Sequence, residues 1–318
     1  MPDLRFDHRV AVITGAGRGL GRAYALLLAS RGARIVVNDS GGDLSGNGVS
    51  AKPAEDVARE IAVAGGRAIA CTESVATPEG GEAIIQAALH EYGRIDILIH
   101  NAGNTRHASM KEMTQADFDA VVDVHLRGAF HVSRPAFPLM CKGGYGRIVL
   151  TSSIGGLYGD RNIANYCLAK AGVIGLSNVL ALEGAPEGVK CNVILPGAVT
   201  RMAGQRDTSS YPPMPPELVA PVVAWLAHES CPISGEMLVS MAGRVAKAFV
   251  AETVGAYRPA WTIEEVAEDM PTVRNTDGAL TFPPVPRGFY DHIEYSFSRA
   301  RAHSEEPAAS GRSRSSET

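Results

Sequence analysis

The stretch HRVAVITGAGRGLG, residues 8–21, decides the fold. Residues 10–14 form a short β-branched run. A glycine cluster follows, and a helical pattern continues over 21–30. Strand, turn and helix in that order make a pyrophosphate cradle. Glycines let the backbone come close, and the helix start offers unpaired N–H groups. The common Gly-x-Gly-x-x-Gly fingerprint does not fit. The glycines after Thr14 that do fit a pattern are Gly15, Gly19 and Gly21, spaced Gly-x-x-x-Gly-x-Gly.

Outward from that turn, strand and helix signals alternate. ARIVVND (33–39) is a second buried strand that ends in an acid. An acid there can hydrogen-bond both hydroxyls of an adenosine ribose and repel a 2′-phosphate, so Asp39 argues for NAD over NADP. Arg18, in the glycine loop, pulls the other way. The polar, glycine-rich insertion 41–52 is expected to be a mobile surface loop. Helix (53–64), strand (67–71), helix (78–92) and strand (95–100) follow. Ser74 and Val75 offer a place for an adenine. Asn101, Ala102 and Gly103 end the fourth strand, where Asn can brace the turn and Ala-Gly lets a flat ring lie close.

Residues 114–140 read as a long helical region that Pro135 and Pro138 kink or end. A fifth strand spans 147–152, a helix 165–183 and a sixth strand 189–195, followed by Pro196-Gly197. Residues 201–216 read as a flexible flap, 217–229 as a helix and 235–240 as the last strand. The alternation predicts an α/β protein: a single-domain, Rossmann-like, doubly wound parallel sheet of about seven strands over 1–243. A C-terminal extension packed on it (244–302) and a disordered tail (303–318) follow. Thr262 to Glu265 resembles a capping box.

The chemistry concentrates in TSSIGGLYGDRNIANYCLAK, residues 151–170. Tyr166 and Lys170, four apart, share a helix face. A cation near a phenol favours phenolate, against an ordinary Tyr pKa of about 10. Ser153, at a strand end, can hold the oxygen whose proton the Tyr takes.

Composition bounds the rest. The net charge is −4 over 318 residues, so no global field favours nucleic acid or an anionic membrane. The five Cys (71, 141, 167, 191, 231) are scattered without a Cys-x-x-Cys pair and read as reduced residues. The nine His lack metal-ligand spacing, so no metal is expected. There is no signal-peptide pattern and no apolar run near the roughly 20 residues of a membrane span. A soluble, intracellular protein is expected.

Together these features resemble the classical short-chain dehydrogenase/reductase family. The carriers are Thr14-Gly15-x-x-x-Gly19-x-Gly21, Asn101-Ala102-Gly103, Ser153, Tyr166-x-x-x-Lys170 and Pro196-Gly197, in the family's order over 8–242. VVNDSGGD (36–43), VHLRGAF (124–130), YGRIVLTSSIGGLYG (145–159), ANYCLAKAGVIGLSNVLALEG (164–184) and PPELVAPVVAWLAHESC (215–231) are similar, more narrowly, to the (3R)-hydroxyacyl-CoA dehydrogenases of peroxisomal multifunctional enzymes and their bacterial stand-alone relatives.

The resemblance implies an NAD-dependent oxidoreductase for a secondary alcohol, (3R)-3-hydroxyacyl-CoA first. A hydroxysteroid or another secondary alcohol is the alternative substrate. Tyr166 would be the general base, Lys170 would lower its pKa and hold the nicotinamide ribose, and Ser153 would orient the substrate oxygen. Gly15, Gly19 and Gly21 would line the pyrophosphate, Asp39 the adenosine ribose, Ser74 and Val75 the adenine, and Asn101 to Gly103 the inner ribose. Arg18, Leu20, Pro196, Gly197 and Val199 complete the cofactor set. The family usually has Asn where His125 stands. His125 either anchors a proton-relay water or is a hydrogen-bonded histidine between helices. Arg127 reads as a surface or interface cation rather than a CoA ligand, and Tyr158 either as a pocket wall or as core. A homodimer or homotetramer is implied. The length and the absence of a terminal Ser-Lys-Leu imply a stand-alone cytoplasmic enzyme. A non-catalytic dinucleotide-binding protein is the remaining reading, and the intact Ser, Tyr and Lys argue against it.

Overall fold

The computed structural model describes residues 3–203 and 207–305. Two compact units are present, Met1–Ala248 and Phe249–Thr318.

The first unit is built on one sheet: β1 (Val10–Thr14), β2 (Arg34–Asn38), β3 (Arg67–Cys71), β4 (Ile97–His100), β5 (Gly146–Thr151), β6 (Val189–Gly197), β7 (Met237–Met241) and β8 (Arg244–Ala248). The strand order is β3-β2-β1-β4-β5-β6-β7-β8. All neighbours run parallel except β7 and β8. Every residue of β1, β4 and β5 is buried, the signature of strands covered on both faces. Ile13, Ile35, Val37, Ile97, Ile99 and Val149 share a core with Tyr24, Leu28, Ile61 and Val223.

The eighth strand moves the boundary expected at residue 243. Gly243, with φ +81°, turns the chain back, and Arg244–Ala248 pairs with β7. The sequence reading stopped at β7 because RVAKA is too short and too exposed to show an alternating pattern.

The connecting helices are α1 (Gly19–Ser30), α2 (Lys52–Val63), α3 (Pro78–Tyr92), α4 (Gln115–Val122), α5 (Gly128–Lys142), α6 (Gly155–Tyr158), α7 (Ala164–Gly184) and α8 (Ala220–Ala227). The long helix expected over 114–140 is three segments. A π-turn, Asp123–Arg127, separates α4 from α5. Pro135 and Pro138 do not end α5, which runs through both to Lys142. Each proline forfeits one helical hydrogen bond. Burial of Ala129, Val132, Ala136 and Met140 along the same helix offsets that loss.

The stretch Ala164–Glu187, with mean hydropathy 1.3, is long and apolar enough to pass for a membrane span. It was not expected to. Here it is a core helix of the sheet, and it buries Asn165, Lys170 and Ser177.

The second unit holds α9 (Ile263–Val273) and α10 (Gly288–Glu305). The expected capping box is present: Thr262 Oγ1 accepts from Glu265 N, and Glu265 Oε2 accepts from Thr262 N at 2.9 Å. Arg258 donates to Glu265 and Asp269, which ties the start of α9 down. The helix α10 reaches Glu305, so the tail expected to be disordered from residue 303 begins in a helix. Its remainder, 306–318, lies outside the described residues.

Candidate active site

The sheet reverses its winding between β1 and β4, which are neighbours. In a doubly wound sheet the crevice at such a switch point is where ligands bind. Gly15, Arg18, Gly19, Leu20, Asp39, Ser74, Val75 and Asn101 to Gly103 line a cleft there. No side chain caps the first turn of α1, so its N–H groups stay available to an anion.

Gly15 has φ +64°, a left-handed conformation, and a Cβ on it would lie 2.7 Å from Ala102 Cα. Gly21 does not line the cleft as expected. It is buried beneath the turn, where a Cβ would sit 2.2 Å from Gly15 O and 2.7 Å from Asn101 Nδ2. Asn101 Nδ2 donates to Thr14 O and Gly15 O, bracing the glycine turn from the neighbouring strand.

The carboxylate of Asp39 faces the same cleft. Its Oδ2 accepts from Gly17 N at 2.9 Å and its Oδ1 from Gly41 N at 2.8 Å. A carboxylate has about four lone-pair sites, so capacity for two ribose hydroxyls remains. Arg18 and Arg201 both reach Gly42 O nearby. The insertion 41–52, expected as a mobile surface loop, carries hydrogen bonds of its own. Asp43 Oδ1 accepts from Ser45 N and Asn47 N, and Thr105 N donates to Leu44 O at 2.9 Å.

A second cleft adjoins the first. Ser153, Tyr158, Tyr166, Pro196, Gly197 and Val199 line it, with Ile154, Ile163, Met202 and Tyr211. Pro196, Gly197 and Val199, expected in the cofactor set, thus lie on this side; Thr200 and Met202 border both clefts. Tyr158 is 81% exposed, which excludes the core reading.

Ser153 and Tyr166 line this cleft together, and both lie against Gly155, where an ideal Cβ would sit 3.5 Å from Ser153 Oγ, 3.6 Å from Cys167 Sγ and 3.7 Å from Tyr166 Cε1. Ser153 Oγ accepts from Gly155 N at 3.0 Å, which leaves its hydroxyl proton to give to a ligand. Lys170 lies behind the ring, its Nζ 5.7 Å from the Tyr166 centroid. The ammonium donates to Thr151 O at 2.5 Å, and burial pushes its pKa down to about 7.

The π-turn aims His125 inward. Its ring meets Tyr166 edge-on at 5.2 Å. Both groups of the Asn104 backbone converge on Nε2, the oxygen at 2.8 Å and the nitrogen at 3.1 Å. Nδ1 is buried without a hydrogen-bond partner. Burial and the charge of Lys170 hold His125 well below the ordinary histidine range, so the ring is neutral. His125 is therefore bonded between elements, as one of the two expectations had it. Arg127 is exposed and ion-paired with Asp123, a surface cation as expected.

A Ser hydroxyl and a Tyr ring lining one cleft, a buried Lys behind the ring and the glycine-turn cleft alongside suit proton transfer at a hydroxyl oxygen next to a nicotinamide. The family model for short chain dehydrogenases matches residues 9–210.

The chain belongs to the short-chain dehydrogenase family.

Peroxisomal multifunctional enzyme type 2 of Drosophila melanogaster is 48% identical over 254 residues, covering 80% of this chain and 42% of that protein. A short-chain type dehydrogenase/reductase of Mycobacterium tuberculosis is 41% identical over 277 residues, 85% of this chain and 96% of that protein. The solved structure of the full-length Drosophila enzyme superposes with TM-score 0.78 at 38% identity, covering 94% of this chain and 50% of that one. A short chain dehydrogenase from Mycobacterium avium gives TM-score 0.74 at 36% identity, covering 88% of this chain and 98% of that one. The chain spans less than half the length of the multifunctional relatives from fly and mouse.

This short-chain dehydrogenase is thus an oxidoreductase acting on CH–OH with a nicotinamide dinucleotide. In the sequence Thr14 stands out only as the opening of the glycine motif, and Asn104, Arg106, Asn165 and Arg201 do not stand out; these four act through contacts between distant segments, which no local pattern announces.

Proposed function

We propose that this short-chain dehydrogenase interconverts a (3R)-3-hydroxyacyl-CoA and the 3-ketoacyl-CoA, with NAD as the acceptor. The shared cleft of Ser153 and Tyr166, with Lys170 buried behind the Tyr166 ring, carries the reading. The bound nicotinamide supplies the hydride exchange. Tyr166 takes the proton of the substrate hydroxyl, or returns it in reduction. Lys170 in its cationic form favours the phenolate of Tyr166, and Ser153 donates its hydroxyl proton to the substrate oxygen as charge develops there. Ile154, Tyr158, Ile163, Met202 and Tyr211 suit an acyl chain.

Relatives named multifunctional enzyme type 2 and hydratase-dehydrogenase-epimerase support the acyl-CoA substrate over a hydroxysteroid or a small secondary alcohol. Asp39, fixed by Gly17 N and Gly41 N, supports NAD, because its charge opposes a 2′-phosphate. Exposed Phe130 on α5 and Leu168, Val179 and Leu182 on α7 support a homodimer through these helices. The five cysteines, all free, support a reducing compartment such as the cytoplasm.

The test is the rate of NAD reduction over a panel: (3R)- and (3S)-3-hydroxyacyl-CoA of several chain lengths, 17β-hydroxysteroids and simple secondary alcohols, with NADP in parallel. Preference for a (3R)-acyl-CoA with NAD is expected. Turnover of free steroids or small alcohols alone removes the thioester.

A further inference from the structure

Arg106 follows the Asn-Ala-Gly turn and uses its guanidinium on three partners. Nε donates to Ser45 O at 3.2 Å, Nη2 to Asn47 Oδ1 at 3.3 Å, and Nη1 to Asp117 Oδ1 at 3.0 Å. Two of these lie on the loop 43–47, and the third lies on α4. The loop is internally closed: Asp43 N donates to Asn47 O, while Asp43 Oδ1 receives Ser45 N and Asn47 N. It can therefore move as one body. Gly42, Asp43, Ser45, Gly46 and Arg106 itself all border the dinucleotide cleft.

The backbone of Arg106 carries the connection further. Its carbonyl accepts from Asn165 Nδ2 at 3.1 Å, and the same amide donates to Asp117 O at 3.0 Å. Asn165 is fully buried, and its Oδ1 accepts from Tyr166 N at 2.8 Å. One arginine thus stands between a wall of the cofactor cleft and the first turn of the helix that presents Tyr166. A planar five-donor fork suits this task, and a lysine point charge reaches only one of the three partners well.

We propose that Arg106 is a positioning residue that clasps the loop 43–47 against the dinucleotide cleft and ties it to the head of α7, so that cofactor release requires the clasp to open. The inference rests on reading the cleft as the dinucleotide site.

The test is stopped-flow fluorescence of NADH release from the full chain, comparing Arg106→Ala, Arg106→Lys and Asn47→Ala with the unaltered protein. Arg59→Ala, which removes an exposed ion pair with Asp56 on α2, is the control. Arg106→Ala is expected to release NADH about tenfold faster, the scale of one lost charged hydrogen bond. Arg106→Lys and Asn47→Ala should fall between it and the unaltered protein, and Arg59→Ala should match the unaltered protein. In steady state KM for NAD should rise while kcat holds or increases. A residue that merely supports α7 would instead lower kcat and leave release unchanged, and that result overturns the proposal. Should Arg106→Ala fail to fold, unchanged release from Asn47→Ala overturns it equally. If the unaltered protein binds neither NADH nor NADPH, the cleft reading falls and the proposal falls with it.

Discussion

Thr14 Oγ1 lies 3.0 Å from His100 Nδ1, and the bond has only one possible direction. The same oxygen accepts from Asn101 N at 3.0 Å and Ala102 N at 3.1 Å. With both lone pairs taken, the Thr14 hydroxyl proton goes to His100 Nδ1, which must be an acceptor. His100 is thereby held as the neutral Nε2–H tautomer, wholly buried on the same sheet face as Thr14. One hydroxyl joins the glycine turn, the Asn-Ala-Gly turn and the polar interior beside Lys170.

Acid stability should report this buried ring. Burial first, then the charge of Lys170, depresses the His100 pKa from its ordinary 6.5 to about 3. Between those values the unfolded chain binds a proton that the folded chain does not. Stability therefore rises with pH across the window and is lost on acidification. His125 adds the same sign, while Lys170 adds it between about 7 and its ordinary 10.5. His100→Asn keeps an acceptor for Thr14 and removes one titration. Chemical denaturation between pH 6.5 and 4 should show a shallower loss for this variant. Parallel curves would mean that His100 does not stay neutral in the fold.

Tyr166→Phe removes the hydroxyl and leaves the ring against His125. Turnover should fall about 10²- to 10⁴-fold, the usual contribution of a general acid–base group. NADH binding, read by fluorescence titration, should change little, since neither Ser153 nor Tyr166 lines the cleft at the glycine turn. Near-normal turnover would remove Tyr166 from its role.

Asp39→Asn keeps an acceptor and neutralises the charge. The ratio of kcat/KM for NADP to that for NAD should rise about tenfold or more, with Arg18 and Arg201 close by to meet the added phosphate. An unchanged ratio would mean that Asp39 shapes the turn through Gly17 and Gly41 without selecting the cofactor.

Gly21→Ala forces a methyl to within 2.2 Å of Gly15 O. Overpacking of this kind costs about 1–3 kcal/mol. Thermal unfolding should shift down, and KM for the cofactor should rise because Gly15 must move. Full retention of both would show that the turn has slack which the close contact conceals.

The doubly wound sheet was legible because its cause is local. Buried parallel strands read as continuous β-branched runs, and 10–14 and 34–38 stand out at once. Glycines and Asn-Ala-Gly mark turns, and Tyr166 with Lys170 share a face by helix period alone. Less legible were features set by competition. Pro135 and Pro138 break helices in isolation, yet packing along α5 prevailed. The insertion 41–52 looked mobile because its composition is that of a free loop. Residues far along the chain contact it: Thr105 and Arg106, some sixty residues away, and Arg201.

The sequence by itself therefore determined the strand and helix order from short-range period and spacing, and its resemblance to the family pointed to the Ser, Tyr and Lys. Only the tertiary structure decided which partners those residues meet. It set Gly21 under the turn, buried Lys170 deeply enough to bring its pKa near 7, and placed Nε2 of His125 on the Asn104 backbone. Hydrogen-bond direction, burial and close approach depend on atoms far apart in the chain, and no local pattern carries them.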